Sequence, residues 1–184
     1  MILAVLISPS LYASESDDMD ALLIAGFDPN SPELGWYAQN DNVMGGRSKG
    51  GFVTTSEELA FSGNTNTNGG GFSSIRTQPL NLDLTNYSGI RVKIKADGRR
   101  YTLQLQSNAL WRGRRVKYWA DFDTVSGETN VVDIPFSRFT PQFRGVRLDG
   151  PELDTSQITE IGLYIYDKKD GPFELRLFSV EAYQ

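Results

Sequence analysis

Polar and apolar residues alternate along several short segments of the chain. In residues 90–96 apolar side chains occupy every second position, with Arg and Lys between them. The same period of two runs through residues 101–106, 116–122 and 159–166. Successive side chains of a strand point to opposite faces, so this pattern is typical of strands with one buried and one solvated face. No segment shows a sustained helical period, and the pattern therefore predicts an all-β protein.

Turn residues separate these segments at intervals typical of an antiparallel sandwich. The chain contains 18 Gly and 8 Pro. The dipeptide Asp97-Gly98 lies between two alternating segments and predicts a β-hairpin. In the last strand the alternation slips by one position near Ser179, which predicts a β-bulge. We count about nine to eleven short strands, which favours two packed antiparallel sheets, and a jelly roll is the natural arrangement.

The chain of 184 residues fits one domain with a substantial core. Residues 1–13 start with an apolar run that is too short to span a bilayer and resembles the end of a signal peptide, with cleavage after Ala13. The alternative for this segment is a disordered or strand-forming N-terminus. We expect the acidic residues 14–20 to be disordered and the β-sandwich to cover residues 21–184. A signal peptide would mean export to the periplasm or beyond; otherwise we expect a cytoplasmic protein.

Composition excludes several classes of function. The formal charge is −5, and binding of nucleic acid is disfavoured because it requires a basic surface. The absence of Cys and His removes disulfides, the usual zinc sites, thiol nucleophiles and His-based triads. Asp167 and Asp170 are a weak candidate for calcium, since their spacing matches no EF-hand. We therefore assign no catalytic residue, no metal and no cofactor.

Residues 40–51 form a polar loop rich in Asn, Asp and Gly, and residues 64–71 form a second loop of similar composition. These residue types favour tight turns, including turns with positive φ. The two loops either form one lip of an anion-binding pocket or only shape corners, and composition does not decide between the two. The candidate binding residues are Asp41, Asn42, Arg47 and Ser48, and the candidate loop-shaping residues are Gly45, Gly46, Gly70 and Gly71.

The solvent-facing phase of the middle strands carries many polar and aromatic residues. If these strands are neighbours, the residues form one polar surface with aromatic platforms, suited to a sugar or a partner protein. The alternative is an ordinary solvated sheet face. The loop of residues 107–115 is either a partner-binding tip or a loop whose Trp111 folds back on the sandwich. The residues in this phase are Arg91, Lys93, Lys95, Gln104, Gln106, Lys117, Trp119, Asp121, Tyr164 and Tyr166.

An ordered set of motifs covers about residues 22–183. The motifs are Trp36, DNVMGGRS at 41–48, FSG at 61–63, NGGGFSSIR at 68–76, NYSGI at 86–90, ADGRRYTLQLQ at 96–106, DIPFSRF at 133–139, RG at 144–145 and IGLYIYDKKDGPFEL at 161–175. This ordered set resembles the complex I intermediate-associated protein 30 family. The resemblance implies a galactose-binding-like β-sandwich and a non-enzymatic role, since mitochondrial members help to assemble respiratory complex I as chaperone-like factors. With its export-like N-terminus, single domain and lack of Cys, the chain resembles a bacterial member, to which the client does not transfer.

Two binding functions remain open at this point. The first is an assembly-factor-like module that binds a partner protein through Trp119, Trp111 and the surrounding loops. The second is a carbohydrate-binding module of the cell envelope or extracellular space. An enzyme ranks third, because no pair of carboxylates suited to glycoside hydrolysis can be located. We expect a monomer that is not an integral membrane protein and that reaches a membrane only through a partner.

Overall fold

A computed structural model describes residues 21–184 as thirteen strands and three short 3-10 helices. The signal-peptide-like and acidic segments of residues 1–20 lie outside the described residues. The strands are β1 (Leu22–Ala25), β2 (Tyr37–Asn40), β3 (Lys49–Thr54), β4 (Leu59–Thr65), β5 (Ser73–Arg76), β6 (Gly89–Ala96), β7 (Arg100–Trp111), β8 (Arg114–Asp123), β9 (Thr129–Pro135), β10 (Thr140–Phe143), β11 (Val146–Arg147), β12 (Ile158–Ile165) and β13 (Gly171–Tyr183). The 3-10 helices are Asp41–Met44, Phe136–Arg138 and Thr155–Gln157.

The strands form two antiparallel sheets, so the predicted β-sandwich of jelly-roll type is confirmed. Sheet A has the order β3-β4-β13-β6-β9, with β1 also paired to β13. Sheet B has the order β11-β10-β8-β7-β12-β5-β2. β1 pairs with the end of β13, with Leu22 opposite Ala182. Within residues 21–184, no helix has the length and apolar character needed to cross a bilayer.

One hydrophobic core fills the space between the sheets. Phe61 and Ile94 reach it from sheet A, and Leu103, Leu105 and Leu163 reach it from sheet B, all fully buried. Burying a side chain of this size contributes about 1.5–3 kcal/mol relative to leaving it exposed. The alternating polar residues of the same strands therefore point to the outer faces, and this arrangement gives sheet B a polar outer face.

β13 carries the bulge that the sequence predicts. Its pairing with β6 shifts register between Leu177 and Ser179. Leu175 and Leu177 before the shift, and Val180 and Ala182 after it, are all buried. The extra residue thus returns the second half of the strand to the core after the apolar pattern changes phase.

The dipeptide Asp97-Gly98 does not form the predicted hairpin. β6 lies in sheet A, between β13 and β9, whereas β7 lies in sheet B, between β8 and β12. The Asp97 carboxylate accepts hydrogen bonds from the backbone N–H groups of Arg99 and Glu174 and from the Tyr101 hydroxyl. These bonds hold a turn that carries the chain from one sheet to the other.

Candidate ligand-binding groove

The outer face of sheet B forms the floor of a groove. Register pairing places Trp119, Gln104, Gly162 and Arg76 side by side across the adjacent strands β8, β7, β12 and β5. Residues paired in this way share a face of the sheet. The cavity above this row has a volume of about 320 Å³. Its walls come from the 3-10 helix after β2 and from the turn between β10 and β11.

Four aromatic side chains form an apolar surface in the groove. The ring centroids of Trp119 and Tyr164 are 5.4 Å apart, and those of Trp119 and Tyr166 are 6.1 Å apart. Phe72 lies 6.1 Å from Tyr164, and the Arg76 guanidinium lies 5.0 Å from the centroid of the Tyr164 ring. Burial raises the pKa of Tyr164, which therefore stays a neutral phenol. Such a surface can stack against a flat or apolar part of a ligand.

Three buried side-chain atoms in the floor have no hydrogen-bond partner among residues 21–184. They are Nε of Arg76, Oε1 of Gln104 and Nε1 of Trp119. A buried polar group without a partner costs about 1–3 kcal/mol, and native proteins leave few of them. The Gln104 amide nitrogen donates to Glu160 Oε1 at 2.6 Å, which turns the amide oxygen away from that carboxylate. Arg76 and Trp119 line the cavity, whereas Gln104 is fully buried and is not among the lining residues. Nε of Arg76 and Nε1 of Trp119 are thus two donors without a partner on side chains that line the groove.

Gly162 lies in this row between Gln104 and Arg76. A Cβ atom at Gly162 would lie 3.3 Å from Cγ of Arg76 and 3.4 Å from Cε2 of Tyr164. The first distance is shorter than an ordinary van der Waals contact, and the second is at its lower limit. The missing side chain thus lets Arg76 and Tyr164 pack across the floor of the groove.

Cationic side chains dominate the charge of the groove. Nζ of Lys117 lies 3.4 Å from Glu160 Oε1 and donates to the Tyr164 hydroxyl at 3.4 Å. Burial, reinforced by the charge of Arg76, lowers the pKa of Lys117 to about 8, although Glu160 acts to raise it. Arg76 forms no ion pair with a described carboxylate. The lining includes the four cationic residues Arg76, Arg115, Lys117 and Arg144 and no Asp or Glu among the described residues.

Asp41 organises the two Gly-rich loops from inside. The fully buried carboxylate accepts hydrogen bonds from the N–H and hydroxyl of Ser48, at 2.9 and 2.6 Å. It also accepts from the N–H groups of Gly71 and Phe72, at 2.6 and 3.3 Å. Burial alone would raise the pKa of Asp41, but these bonds outweigh it and hold the pKa below its ordinary value. The loops close around their own carboxylate.

The four glycines predicted to shape these loops contribute to this closure. A Cβ atom on Gly46 or Gly70 would overlap the Asp41 carboxyl group. Gly45 and Gly71 have φ of 86° and 110°, a region that residues with a side chain rarely adopt.

The loops thus shape a corner around Asp41, and Val43 and Met44 of the first loop also line the groove. Binding of an anion by these loops stays a prediction. The structure places both the neighbouring Asn42 and Arg47 in solvent.

The polar surface predicted as one face divides between the two sheets. Arg91, Lys93 and Lys95 lie on β6 in sheet A, where Nε of Arg91 pairs with Asp133 Oδ1 at 2.7 Å. Arg91 is therefore not part of the groove. The predicted residues that the structure does bring together on sheet B are Gln104, Gln106, Lys117, Trp119, Asp121, Tyr164 and Tyr166.

Of the two positions predicted for Trp111, the structure shows the one in which the ring folds back on the sandwich. Its ring lies 5.4 Å from the ring of Phe143, at the end of the β7–β8 hairpin beside the groove. Sequence reasoning missed Arg76, Val43 and Met44, which line the groove from β5 and from the 3-10 helix. Arg76 lies two positions after Ser74 on a short strand, and this place was its only signal in the sequence. Its neighbours on β12 come from a distant part of the chain, so the contact between them could not be predicted.

The calcium candidate is occupied by protein groups. Oδ1 of Asp167 pairs with Nη2 of Arg99 at 2.6 Å, and the same nitrogen donates to the Lys169 carbonyl at 2.8 Å. Oδ1 of Asp170 accepts a hydrogen bond from the Thr67 N–H at 2.6 Å. Within the described residues, no group of three or more Asp, Glu, His or Cys side chains is arranged to hold a metal ion.

The fold and the groove place the chain among jelly-roll sandwiches with an open site on the outer face of one sheet. The family 11 carbohydrate-binding module from Clostridium thermocellum, solved in complex with a beta-1,3-1,4-mixed-linked tetrasaccharide, has a similar fold. Its TM-score is 0.64 at 16% identity, over 89% of this chain and 95% of the module.

The model of the complex I intermediate-associated protein 30 family matches residues 25–177, and the chain belongs to this family. An uncharacterized protein of Schizosaccharomyces pombe is 31% identical over 182 residues, covering 88% of this chain and 83% of the relative. The mouse protein named complex I intermediate-associated protein 30, mitochondrial, is 28% identical over 102 residues, which is 53% of this chain and 31% of the mouse protein. The resemblance seen in the sequence motifs is thereby confirmed.

Proposed function

We propose that this protein is a non-catalytic binding module that holds a segment of a partner protein in the groove of sheet B, in the manner of an assembly factor. The observation that carries the proposal is the row of Arg76, Gln104 and Trp119, in which Nε of Arg76 and Nε1 of Trp119 are donors without a partner on side chains that line the groove. Their cost is offset when a ligand supplies the missing acceptors. A polypeptide backbone offers carbonyl acceptors to such donors.

The edges of the groove suit a protein partner. Val43 and Met44 are 61% and 67% exposed, although both are apolar. They adjoin the aromatic surface of Phe72 and Tyr166 in the same cavity. Exposed apolar residues next to a groove are a common mark of a protein interface. Membership of a family whose mouse member is named for intermediates of complex I supports the same function.

The side chains of the groove support binding rather than catalysis. Glu160 borders the floor, but its carboxylate is engaged by Gln104 and Lys117. The sequence contains no His or Cys to act as base or nucleophile. A binding role therefore accounts for the groove without requiring a reaction.

A pull-down from the fractionated envelope of the native organism, followed by mass spectrometry, tests the proposal. We expect wild-type protein to retain a specific set of membrane or respiratory proteins, and Trp119→Ala and Gln104→Leu to lose it. Lys93→Ser, on the other sheet, is the control and should retain the set. Retention of the same proteins by all variants would place the binding surface outside the groove and refute the proposal.

Carbohydrate binding is the second candidate function. Sugar rings stack on aromatic side chains, and their hydroxyl oxygens accept hydrogen bonds, as the donors of Arg76 and Trp119 require. The likeness of the fold to a module solved with a tetrasaccharide supports this candidate. Titration with mixed-linked glucan oligosaccharides should then quench tryptophan fluorescence in the wild type and not in Trp119→Ala. An unchanged fluorescence at saturating oligosaccharide would exclude this ligand.

A further inference from the structure

The two ends of the groove differ in chemistry. One corner consists of Phe72, Tyr166 and the exposed apolar pair Val43 and Met44, where β2, β5 and β12 end. The diagonally opposite corner lies on β8 and in the β10–β11 turn and contains Arg115, Lys117, Gln142, Phe143 and Arg144. Between the corners lies the row of unpartnered polar atoms. The groove thus has an apolar end, a polar middle and a cationic end.

Few carboxylates balance the positive charge at the cationic end of the groove. Neither Arg115 nor Arg144 forms an ion pair with a described carboxylate, and Lys117 shares the single carboxylate of Glu160. The Arg144 guanidinium lies over the ring of Phe143, 5.6 Å from its centroid, and remains exposed to solvent. The whole chain, by contrast, carries a formal charge of −5. A local excess of cations in an acidic protein favours an anionic ligand at that position.

We infer that the groove selects a polypeptide segment that carries an apolar side chain at one end and acidic side chains at the other. The apolar side chain packs against Val43 and Met44, and the carboxylates bind Arg115, Arg144 and Lys117. The backbone between them lies over the row of unpartnered atoms. This inference rests on the proposed function and adds the chemistry of the segment. A polypeptide fits better than an acidic sugar, because the exposed side chains of Val43 and Met44 offer no polar group to hydroxyls.

An array of short synthetic peptides tests the inference. Each peptide combines one Leu or Phe with a pair of Glu residues at varied spacing, and each has a partner peptide with Gln in place of Glu. We expect the wild-type protein to retain the best Glu peptides roughly tenfold more strongly than their Gln partners, with the difference falling as salt is added. Calorimetry on the best pair then gives the two dissociation constants.

Matched double variants locate the effect. Arg115→Ser with Arg144→Ser should abolish the preference for Glu. Lys93→Ser with Lys95→Ser removes the same charge from exposed positions of sheet A and should leave the preference intact. Equal loss in both double variants would show that net charge, and not the groove, selects the acidic peptides, and would overturn the inference.

The remaining outcomes separate this inference from the proposed function. Equal retention of Glu and Gln peptides, or retention of neither, overturns the inference, while a Trp119-dependent set of proteins in the pull-down would leave the proposed function standing. Binding of oligogalacturonate in calorimetry, with no peptide retained, would overturn the inference and indicate an acidic glycan as the ligand. If the wild-type protein retains no specific set of proteins in the pull-down, the proposed function itself is refuted.

Discussion

At the scale of single residues, two buried polar groups differ in how many hydrogen bonds they form. The Asp41 carboxylate is fully buried and accepts four hydrogen bonds from Ser48, Gly71 and Phe72. Gln104, equally buried, leaves its amide oxygen unpartnered on the floor of the groove. The first arrangement stabilises the fold, and the second leaves a buried acceptor without a partner among the described residues.

Substitution of Asp41 by Asn should destabilise the protein by about 1–3 kcal/mol near neutral pH, because the amide cannot accept all four hydrogen bonds. The depressed pKa of Asp41 adds a pH dependence. A carboxylate with a lowered folded-state pKa stabilises above its unfolded pKa of about 3.9, and this contribution disappears as the pH falls through the folded value. Urea unfolding should therefore show the gap between wild type and Asp41→Asn narrowing as the pH falls below about 4.

The exposed Asp149 provides the control for this experiment. Asp149→Asn should leave the free energy of unfolding within about 0.5 kcal/mol of wild type. A gap between wild type and Asp41→Asn that stays constant down to strongly acidic pH would show that the charge of Asp41 contributes nothing to stability.

Lys117 should titrate near pH 8, because burial and the nearby Arg76 disfavour its charged form. NMR of the protein with isotopically dimethylated lysines measures the midpoint directly. The resonance with this midpoint should be missing in Lys117→Met. In Glu160→Gln the midpoint should move lower, since the carboxylate at 3.4 Å favours the charged amine. A midpoint that is the same with and without Glu160 would contradict this account of the pair.

At the scale of elements, two glycines let β3 and β4 of sheet A pack closely on each other and on β13. A Cβ on Gly63 in β4 would lie 2.5 Å from Cα of Gly50 in β3, and 2.9 Å from the ring of Phe173 in β13. A Cβ on Gly50 would lie 2.8 Å from the same ring. These glycines let β3 and β4 pack closely around Phe173, and β3 in turn adjoins β5, which carries Arg76.

Gly63→Ala should destabilise the protein by about 1–3 kcal/mol or more, because backbone atoms cannot move aside as a flexible side chain can. Gly51→Ala, in the neighbouring strand β3, is the matched control, since no atom lies within 4 Å of its Cβ and its φ is not positive. Thermal unfolding of the two variants measures the difference. Equal unfolding temperatures of the two variants would mean that β3 and β4 accommodate the added methyl group at Gly63 without loss of stability.

The alternation of polar and apolar residues predicted the buried face of most strands, and the jelly-roll sandwich followed from it. It could not predict strand partners, since β6 and β7 have the same alternation and lie in different sheets. Arg91 and Gln104 therefore looked equivalent in the sequence, although only Gln104 lies on sheet B, beside Trp119. Arg76 was missed for the same reason, because its contact with Tyr164 depends on the pairing of β5 with β12, which are far apart in the chain.

At the scale of the whole molecule, the side chain of Arg99 joins three separate parts of the chain. The guanidinium pairs with Asp167 at 2.6 Å and donates to Thr65 Oγ1 at 3.0 Å and to the carbonyls of Lys169 and Pro172 at 2.8 and 2.9 Å. These contacts connect the turn between β6 and β7, the end of β4 and the turn between β12 and β13. The arrangement leaves Asp167 engaged by a protein cation.

Arg99→Ala should destabilise the protein by about 3–5 kcal/mol, because it leaves the largely buried Asp167 carboxylate without its partner. Arg99→Lys should recover only part of the loss, since an ammonium group cannot reproduce the planar fork of donors. Addition of EDTA should leave the unfolding temperature of the wild type unchanged, because Arg99 already neutralises Asp167. A marked fall in that temperature with EDTA would show that a bound metal stabilises the fold after all.

The pairing of Leu22 with Ala182 brings the first and last strands of the sandwich together on sheet A, whereas the groove opens from sheet B. The polypeptide thus enters and leaves the β-sandwich at neighbouring points on the side away from the groove. A unit with this geometry can be inserted into a loop of another protein, or have its ends joined and be reopened elsewhere, without stretching the host chain. It can therefore be transplanted as a cassette, with its groove turned outward from the attachment point.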